Sequence, residues 1–211
     1  GFDAEADILD TWATSSLTPQ LAGGWQRDEE LWQLTAPFDL RPQGQDIIRT
    51  WLFSTILRST LEDDRTPWRN AAISGFIVDP DRKKMSKSKG NVVNPADILE
   101  THGSDAVRYW AASSRLGMDA AFDPQNPTQV KIGRRLAIKV LNAAKFVLSF
   151  PVPAGAEVTH ALDAAMLATL DGVVREATKA FDAYDHARAL EVAEQFFWTF
   201  CDDYLELVKE R

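Results

Sequence analysis

The pentapeptide Lys84-Met85-Ser86-Lys87-Ser88 lies within the polar stretch 81–91, which is rich in lysine and contains a glycine. Residues 71–78 before it are rich in β-branched side chains and predict a short buried strand. Asn94-Pro95 after it predicts the start of a helix, because Asn caps free amides and Pro suits the first turn. The pentapeptide is therefore predicted to lie on a loop between a strand and a helix. Its two cations and two hydroxyls could close over phosphates, although a solvated surface turn is the alternative.

A second candidate site precedes this loop, at Gly44-Gln45-Asp46-Ile47. Apolar residues at steps of three and four follow it and predict an amphipathic helix that ends near Pro67. Glycine permits close backbone approach, and the carboxylate of Asp46 could accept from a ribose hydroxyl or a substrate ammonium group. The alternative is that Asp46 only caps the helix and that Ile47 only packs in the core.

The C-terminal part of the chain has a purely helical pattern. Gly117, Pro124 and Pro127 mark a boundary, after which three apolar stripes of helical period predict three helices, near 132–147, 162–177 and 189–204. The predicted fold class is α/β followed by an all-α helical bundle, with domains 1–117 and 118–211.

Composition narrows the range of functions. No apolar run is long enough for a membrane span, and the start of the chain has no targeting pattern. The single cysteine excludes an internal disulfide, the three histidines are scattered, and no metal site is predicted. A net charge of −8 argues against a protein that coats nucleic acid, but residues 131–148 include five basic side chains and no acidic one. A reducing, cytoplasmic location is predicted.

The pentapeptide and its flanks resemble class I aminoacyl-tRNA synthetases. All five positions match the second signature motif of that family, and Gly90-Asn91, Pro95 and residues 103–108 follow at the family's spacing. The resemblance implies the second half of a Rossmann-type nucleotide-binding fold, with ATP and Mg²⁺ as substrate and no metal bound by the protein itself. Arg82 departs from the family, whose members often have glycine there. We expect the Pro80-Asp81 pair to supply the turn instead.

The resemblance also implies roles for individual residues. Lys87 would hold the ATP phosphates in the transition state of adenylate formation, and Lys84 would be the second catalytic lysine. The predicted ATP-binding residues are Gly44, Asp46, Met85, Ser86, Lys87 and Ser88.

Within the family, the chain is most similar to the members specific for valine. Ile8-Leu9-Asp10-Thr11-Trp12 and the aromatic tail 197–206 carry this similarity. It implies an amino-acid pocket formed by Trp12, Asp46 and Ile47, in which two apolar walls suit a small branched side chain. An isoleucine-specific member is the nearest alternative. A non-catalytic RNA-binding or interaction module derived from a synthetase is the alternative from another functional class.

The resemblance implies that the helical part is an anticodon-binding domain. The residues predicted to contact tRNA are the basic side chains of one helix: Lys131, Arg134, Arg135, Lys139 and Lys145. The implied partners are valine, ATP and the tRNA for valine, and the complete enzyme would be a monomer. No histidine stands in the family's first signature motif, so we expect the chain to be a fragment of such an enzyme and to be inactive by itself.

Overall fold

The computed structural model describes residues 3, 7–8, 10–152 and 154–210. Leu9, part of the segment similar to the valine enzymes, lies outside the described residues. The chain forms two compact units. Unit 1 comprises residues 1–76 with 116–118, and unit 2 comprises residues 77–115 with 119–211.

Three short helices open unit 1: Thr11–Ser15 (α1), Thr18–Ala22 (α2) and Glu29–Thr35 (α3). Aspartate side chains cap two of them. Asp10 accepts from the amide of Trp12 in α1, and Asp28 accepts from the amide of Leu31 in α3. These caps define helices in a stretch where the sequence has no clear helical period.

A parallel pair of strands forms the sheet of unit 1: Phe38–Gly44 (β1) and Trp68–Ser74 (β2). The register runs from Phe38 opposite Trp68 to Gly44 opposite Ser74. A parallel pair needs a crossover, and here it consists of a 3₁₀ turn, a π-helical turn and a helix: Gln45–Ile47, Ile48–Leu52 and Phe53–Asp63 (α4). The helix predicted after Gly44 is therefore confirmed. The helix ends at Asp63, because the next residue, Asp64, has a φ of 51° that breaks the helical geometry.

Tryptophans pack at the centre of unit 1. Trp51 and Trp68 stack with ring centroids 5.6 Å apart, and the guanidinium of Arg41 lies 4.0 Å from the Trp51 ring. The indole N–H of Trp51 donates to the carbonyl of Ser15 at 2.9 Å. This bond ties the crossover to α1 and satisfies the one polar atom of a buried ring.

The strand predicted at 71–78 is divided in two, and that part of the prediction is wrong. β2 ends at Ser74, and a separate strand at Ile77–Val78 (β3) pairs in parallel with Ala120–Ala121 (β4) in unit 2. Gly75 and Phe76 lie between them, outside both strands. Glycine weakens a strand because it has no side chain to pack on the sheet.

Helices make up most of unit 2. They are Pro95–His102 (α5), Ser104–Ala112 (α6), Thr128–Val147 (α7), Ala161–Asp182 (α8), His186–Thr199 (α9) and Leu205–Val208 (α10), with 3₁₀ and π turns at Lys87–Lys89 and Phe200–Tyr204. The three helices predicted after the boundary are confirmed as α7, α8 and α9. The fold class, an α/β part followed by helices, is confirmed as well.

A small core joins the loop region of unit 2 to its helices. Ala106, Phe122 and Val130 are its buried centre, and the Trp110 ring meets Phe122 edge to face, with centroids 5.3 Å apart. Nearby, α7 crosses α6 at Gly133, where an added Cβ would lie only 2.5 Å from the Cβ of Tyr109. Close packing of these helices therefore depends on the missing side chain.

Candidate functional site

The loop that carries the pentapeptide begins with a tight turn after β3. Val78 and Lys84 form an antiparallel bridge across it, and the amide of Asp79 donates to the carbonyl of Lys83 at 2.9 Å. Arg82 closes the turn with a φ of 61°, in the left-handed region. The amide of Arg82 donates to the carbonyl of Asp79, so Pro80 and Asp81 are the central residues of the turn, as expected. The turn needs a left-handed residue at the position where relatives often have glycine, and here Arg82 adopts that conformation.

The side chain of Asn91 ties the two ends of this loop together. Its amide nitrogen donates to Asp79 Oδ2 at 2.8 Å and to the carbonyl of Lys84 at 3.4 Å, and its oxygen accepts from the amide of Ser86 at 2.9 Å. We call the Asn91 side chain and these three partners the Asn91 clasp. The bond from Asn91, with a further one from the amide of Lys83, lowers the pKa of Asp79 below its ordinary value.

The catalytic lysine predicted at position 87 opens a single 3₁₀ turn, Lys87–Lys89. Gly90 ends the turn with a φ of 68° and donates its amide to the carbonyl of Lys87. The hydroxyls of Ser86 and Ser88 lie 3.2 Å apart. Lys84, Lys87 and Ser88 are exposed. The loop therefore presents cations and hydroxyls to solvent from a hydrogen-bonded backbone.

Met85 has a different environment from the rest of the pentapeptide. It is half-buried and packs against the core of Ala106, Phe122 and Val130. This contact anchors the loop on the helices of unit 2. Direct contact of Met85 with ATP stays a prediction.

The second predicted site lies at the carboxyl end of β1, in unit 1. The carboxyl ends of strands are where α/β sheets bind ligands. A Cβ on Gly44 would lie 2.9 Å from Asp46 Oδ1, so the glycine leaves room for the carboxylate to lie back over the strand end. Gly44 has an ordinary φ of −76°, and space rather than backbone conformation accounts for the glycine. Asp46 is exposed within its 3₁₀ turn.

Two residues of the predicted amino-acid pocket, Trp12 and Ile47, have different surroundings. Trp12 is 38% exposed and borders a groove between α1 and α4, beside Ala13, Leu57 and Leu61. Ile47 is half-buried at the start of the π-helical turn and is not one of the residues that line this groove. The side-by-side arrangement of Trp12 and Ile47 therefore stays a prediction.

The five basic residues predicted to contact tRNA all lie on α7, but most of them interact with other residues of this chain. Lys131 donates to Asn126, Arg134 donates to the carbonyl of His102, Arg135 lies over the Trp198 ring, and Lys139 pairs with Asp202. Lys145 is exposed in the last turn of α7. Periodicity could not reveal the contacts of Arg134 and Lys139, because their partners lie 32 and 63 residues away in the sequence.

The structure thus brings the predicted residues together in two groups. Lys84 to Ser88 share one loop in unit 2, and Gly44, Asp46 and Ile47 share one turn in unit 1. The roles of Asp79 and Asn91 were missed. The only sequence signal was an Asn three residues after the pentapeptide, a side chain that can donate and accept at once.

The described residues also show whether metal-binding clusters or membrane-spanning helices occur among them. They bring no three His, Cys, Asp or Glu side chains together in a way that could hold a metal ion. Among them, no helix combines the length and the apolar character needed to cross a bilayer.

Comparisons with known proteins agree on one family. The model for class I tRNA synthetases (I, L, M and V) matches residues 1–123, and the anticodon-binding domain of tRNA ligases matches residues 163–211. The valine–tRNA ligase of Leifsonia xyli is 75% identical over 100% of this chain, and that of Thermobifida fusca is 64% identical. The chain spans about a quarter of the length of these curated relatives, 25% and 24% respectively.

Solved structures have the same fold. A LeuRS of Agrobacterium radiobacter K84, in a ternary complex with tRNA and LeuAMS, superposes with a TM-score of 0.79 at 17% identity, over 94% of this chain and 27% of its own. Mycobacterium tuberculosis methionyl-tRNA synthetase with methionyl-adenylate gives 0.70 at 27% identity, over 93% and 39%. With the signature loop, the βαβ unit and a family model that matches more than half of its residues, this chain belongs to the class I tRNA synthetases of the isoleucine, leucine, methionine and valine group.

Proposed function

We propose that this chain is part of a valine–tRNA ligase, which joins valine to ATP as valyl-adenylate and then transfers the valyl group to its tRNA. The observation that carries the proposal is the identity of 75% over the whole chain with a valine–tRNA ligase. The first step needs no protein nucleophile, because the carboxylate of the amino acid attacks ATP and pyrophosphate leaves. Positioning and charge neutralisation are what the protein must supply.

In this proposal the loop of unit 2 neutralises the triphosphate. Lys87 and Lys84 supply the positive charge, and Ser86 and Ser88 supply hydroxyl donors. The exposure of Lys87 supports the assignment, since an exposed ammonium group can reach a phosphate. Mg²⁺ enters with ATP as part of the substrate.

In unit 1, the proposal assigns the ribose and the amino acid to the turn after β1. Gly44 and Asp46 bind the ribose hydroxyls or the ammonium group of valine, and Trp12 and Ile47 form the apolar walls around the valine side chain. The room that Gly44 leaves for the Asp46 carboxylate supports this assignment. Trp12 keeps a partly exposed indole at the edge of a groove, which an incoming apolar group could cover.

For the helical part, the proposal is tRNA binding through α7. The internal contacts of Lys131, Arg134, Arg135 and Lys139 give these side chains a structural role as well, whereas Lys145 is exposed on the helix surface. We propose a functional division at residues 117 and 118, and we take the complete enzyme to be a cytoplasmic monomer.

The proposal is tested by valine-dependent exchange of pyrophosphate into ATP, measured in the complete ligase that contains this chain. Lys87→Ala should lower kcat by about a hundredfold or more, because it removes charge stabilisation in the transition state. Lys179→Ala is the matched control, since it removes an exposed lysine from α8 far along the chain.

The same assay decides between the alternatives. Valine should support faster exchange than isoleucine at equal concentration. Faster exchange with isoleucine would identify an isoleucine enzyme. Binding of tRNA without exchange for either amino acid would identify a non-catalytic module and refute the proposal.

A further inference from the structure

The Asn91 clasp holds a loop that its own charges would drive apart. Residues 82–89 include five cations, and like charges this close repel one another. Asp79 and Asp81 are the nearby acids in the sequence. Both oxygens of Asp79 accept from uncharged groups, the amide of Lys83 and the side-chain amide of Asn91. Asp79 therefore holds the loop through two uncharged donors.

The clasp also holds the backbone directly before Lys87. The oxygen of Asn91 accepts from the amide of Ser86, the residue directly before Lys87. Met85, on the other side of Ser86, is anchored in the core. Ser86 is thus held by the packing of its neighbour Met85 and by its own hydrogen bond to Asn91. The 3₁₀ turn that starts at Lys87 follows this residue directly.

We propose that Asn91, braced by Asp79, is a positioning residue for adenylate formation. It sets the direction in which the turn with Lys87 leaves the protein, so that the ammonium group is in place when charge develops on the phosphates. The inference rests on the proposed function, because it takes Lys87 to act on ATP. Preorganised charge is effective because it needs no rearrangement during the reaction, and a displacement of about 1 Å can cost a hundredfold in rate.

The chemistry of the clasp allows an exchange of its two partners. Asn91→Asp alone sets two carboxylates against each other and removes the donor to Asp79. Asp79→Asn alone leaves two amide groups in contact. In the double variant, the amide at position 79 donates to the carboxylate at position 91, which still accepts from the amide of Ser86. Only the long bond to the carbonyl of Lys84, at 3.4 Å, is lost.

The experiment measures ATP–pyrophosphate exchange in the complete ligase for both single variants, the double variant and Asn91→Ala. We expect Asn91→Asp and Asn91→Ala to lower kcat by about a hundredfold, with the KM for valine changed less than twofold. The double variant should recover kcat to within about fivefold of the parent enzyme. Asn94→Ala is the matched control, because Asn94 caps α5 nearby and has no part in the clasp.

Further measurements separate positioning from loss of folding. Active-site titration and thermal unfolding show how much of each variant is folded, and kcat is expressed per folded molecule. The proposal is overturned if Asn91→Ala keeps kcat within twofold, if the loss equals the loss of folded protein, or if the double variant is no better than Asn91→Asp. Absence of valine-dependent exchange in the parent enzyme would instead refute the proposed function.

Discussion

Arg82 illustrates at the scale of one residue how a turn can impose its conformation on a poorly suited side chain. Its φ of 61° lies in the region that non-glycine residues enter at a cost of about 1–2 kcal/mol. The amide of Arg82 donates to the carbonyl of Asp79 at 2.8 Å, and that of Lys83 donates to the Asp79 carboxylate. These bonds hold the turn closed despite the strain.

We therefore expect Arg82→Gly to be more stable than Arg82→Ala by about 1 kcal/mol. The two variants lose the same charge and differ in their tolerance of a positive φ, so the comparison isolates the backbone. The free energy of unfolding in urea measures the difference. Equal stabilities would mean that position 82 is not left-handed in solution.

The environment of Tyr109 in the fold changes the pKa of its hydroxyl. Its hydroxyl donates to Glu194 Oε2 at 2.8 Å, and the indole of Trp198 donates to the other oxygen of the same carboxylate. Burial, together with this bond and the negative charge of Glu194, raises the pKa of Tyr109 to about 12 from an ordinary value of 10.0. The folded state therefore favours the neutral phenol.

The pH dependence follows from the direction of this shift. Because the pKa is raised on folding, its stabilising contribution is complete below pH 10 and disappears as the pH rises through about 12. An ultraviolet titration should show a tyrosinate step near pH 12 that is absent in Tyr109→Phe. Titration of the parent protein without that late step would contradict the part-buried hydrogen bond to Glu194.

At the scale of the elements, the crossing of α6 and α7 depends on Gly133. Gly133 is buried against the Tyr109 side chain, whereas Gly172 in α8 has open space around the position of a Cβ. The two glycines thus differ in packing, although both lie in long helices.

The same substitution should accordingly have opposite effects at the two positions. Gly133→Ala should destabilise the protein by about 1–3 kcal/mol, because the helices must separate or the Tyr109 ring must move. Gly172→Ala should stabilise it by about 0.5–1 kcal/mol, since alanine favours the helix and meets no neighbour. Chemical denaturation of both variants tests this. A loss of stability at position 172 equal to that at position 133 would refute the packing explanation.

At the scale of the whole molecule, the chain contains one signature motif of its family and lacks the other. None of His102, His160 and His186 stands in the family's histidine motif. The 211 residues by themselves should therefore show no valine-dependent exchange of pyrophosphate into ATP. The control is the same chain with Lys87→Ala at equal concentration. Exchange above that control would reveal a self-sufficient site.

Local signals in the sequence were sufficient for the family and for most of the architecture. The pentapeptide with Gly90-Asn91 identified the family, and the apolar periods predicted α7, α8 and α9. Asn94-Pro95 correctly marked the start of α5, where Asn94 accepts from the amide of Ala96. These features depend on residues a few positions apart, so short segments of sequence contain the information.

Contacts between distant segments were decided only by the tertiary structure. The basic residues of α7 looked like a free cationic face, but Arg135 lies over Trp198 and Lys139 pairs with Asp202, 63 residues away. The lysine loop looked like a simple polar turn, but Met85 anchors it in a core formed by residues from three separate segments. Composition and period show which side chains could pair. Only the folded chain decides which of them come within reach, because the strength of hydrogen bonds and charge pairs depends on distances that the sequence does not contain.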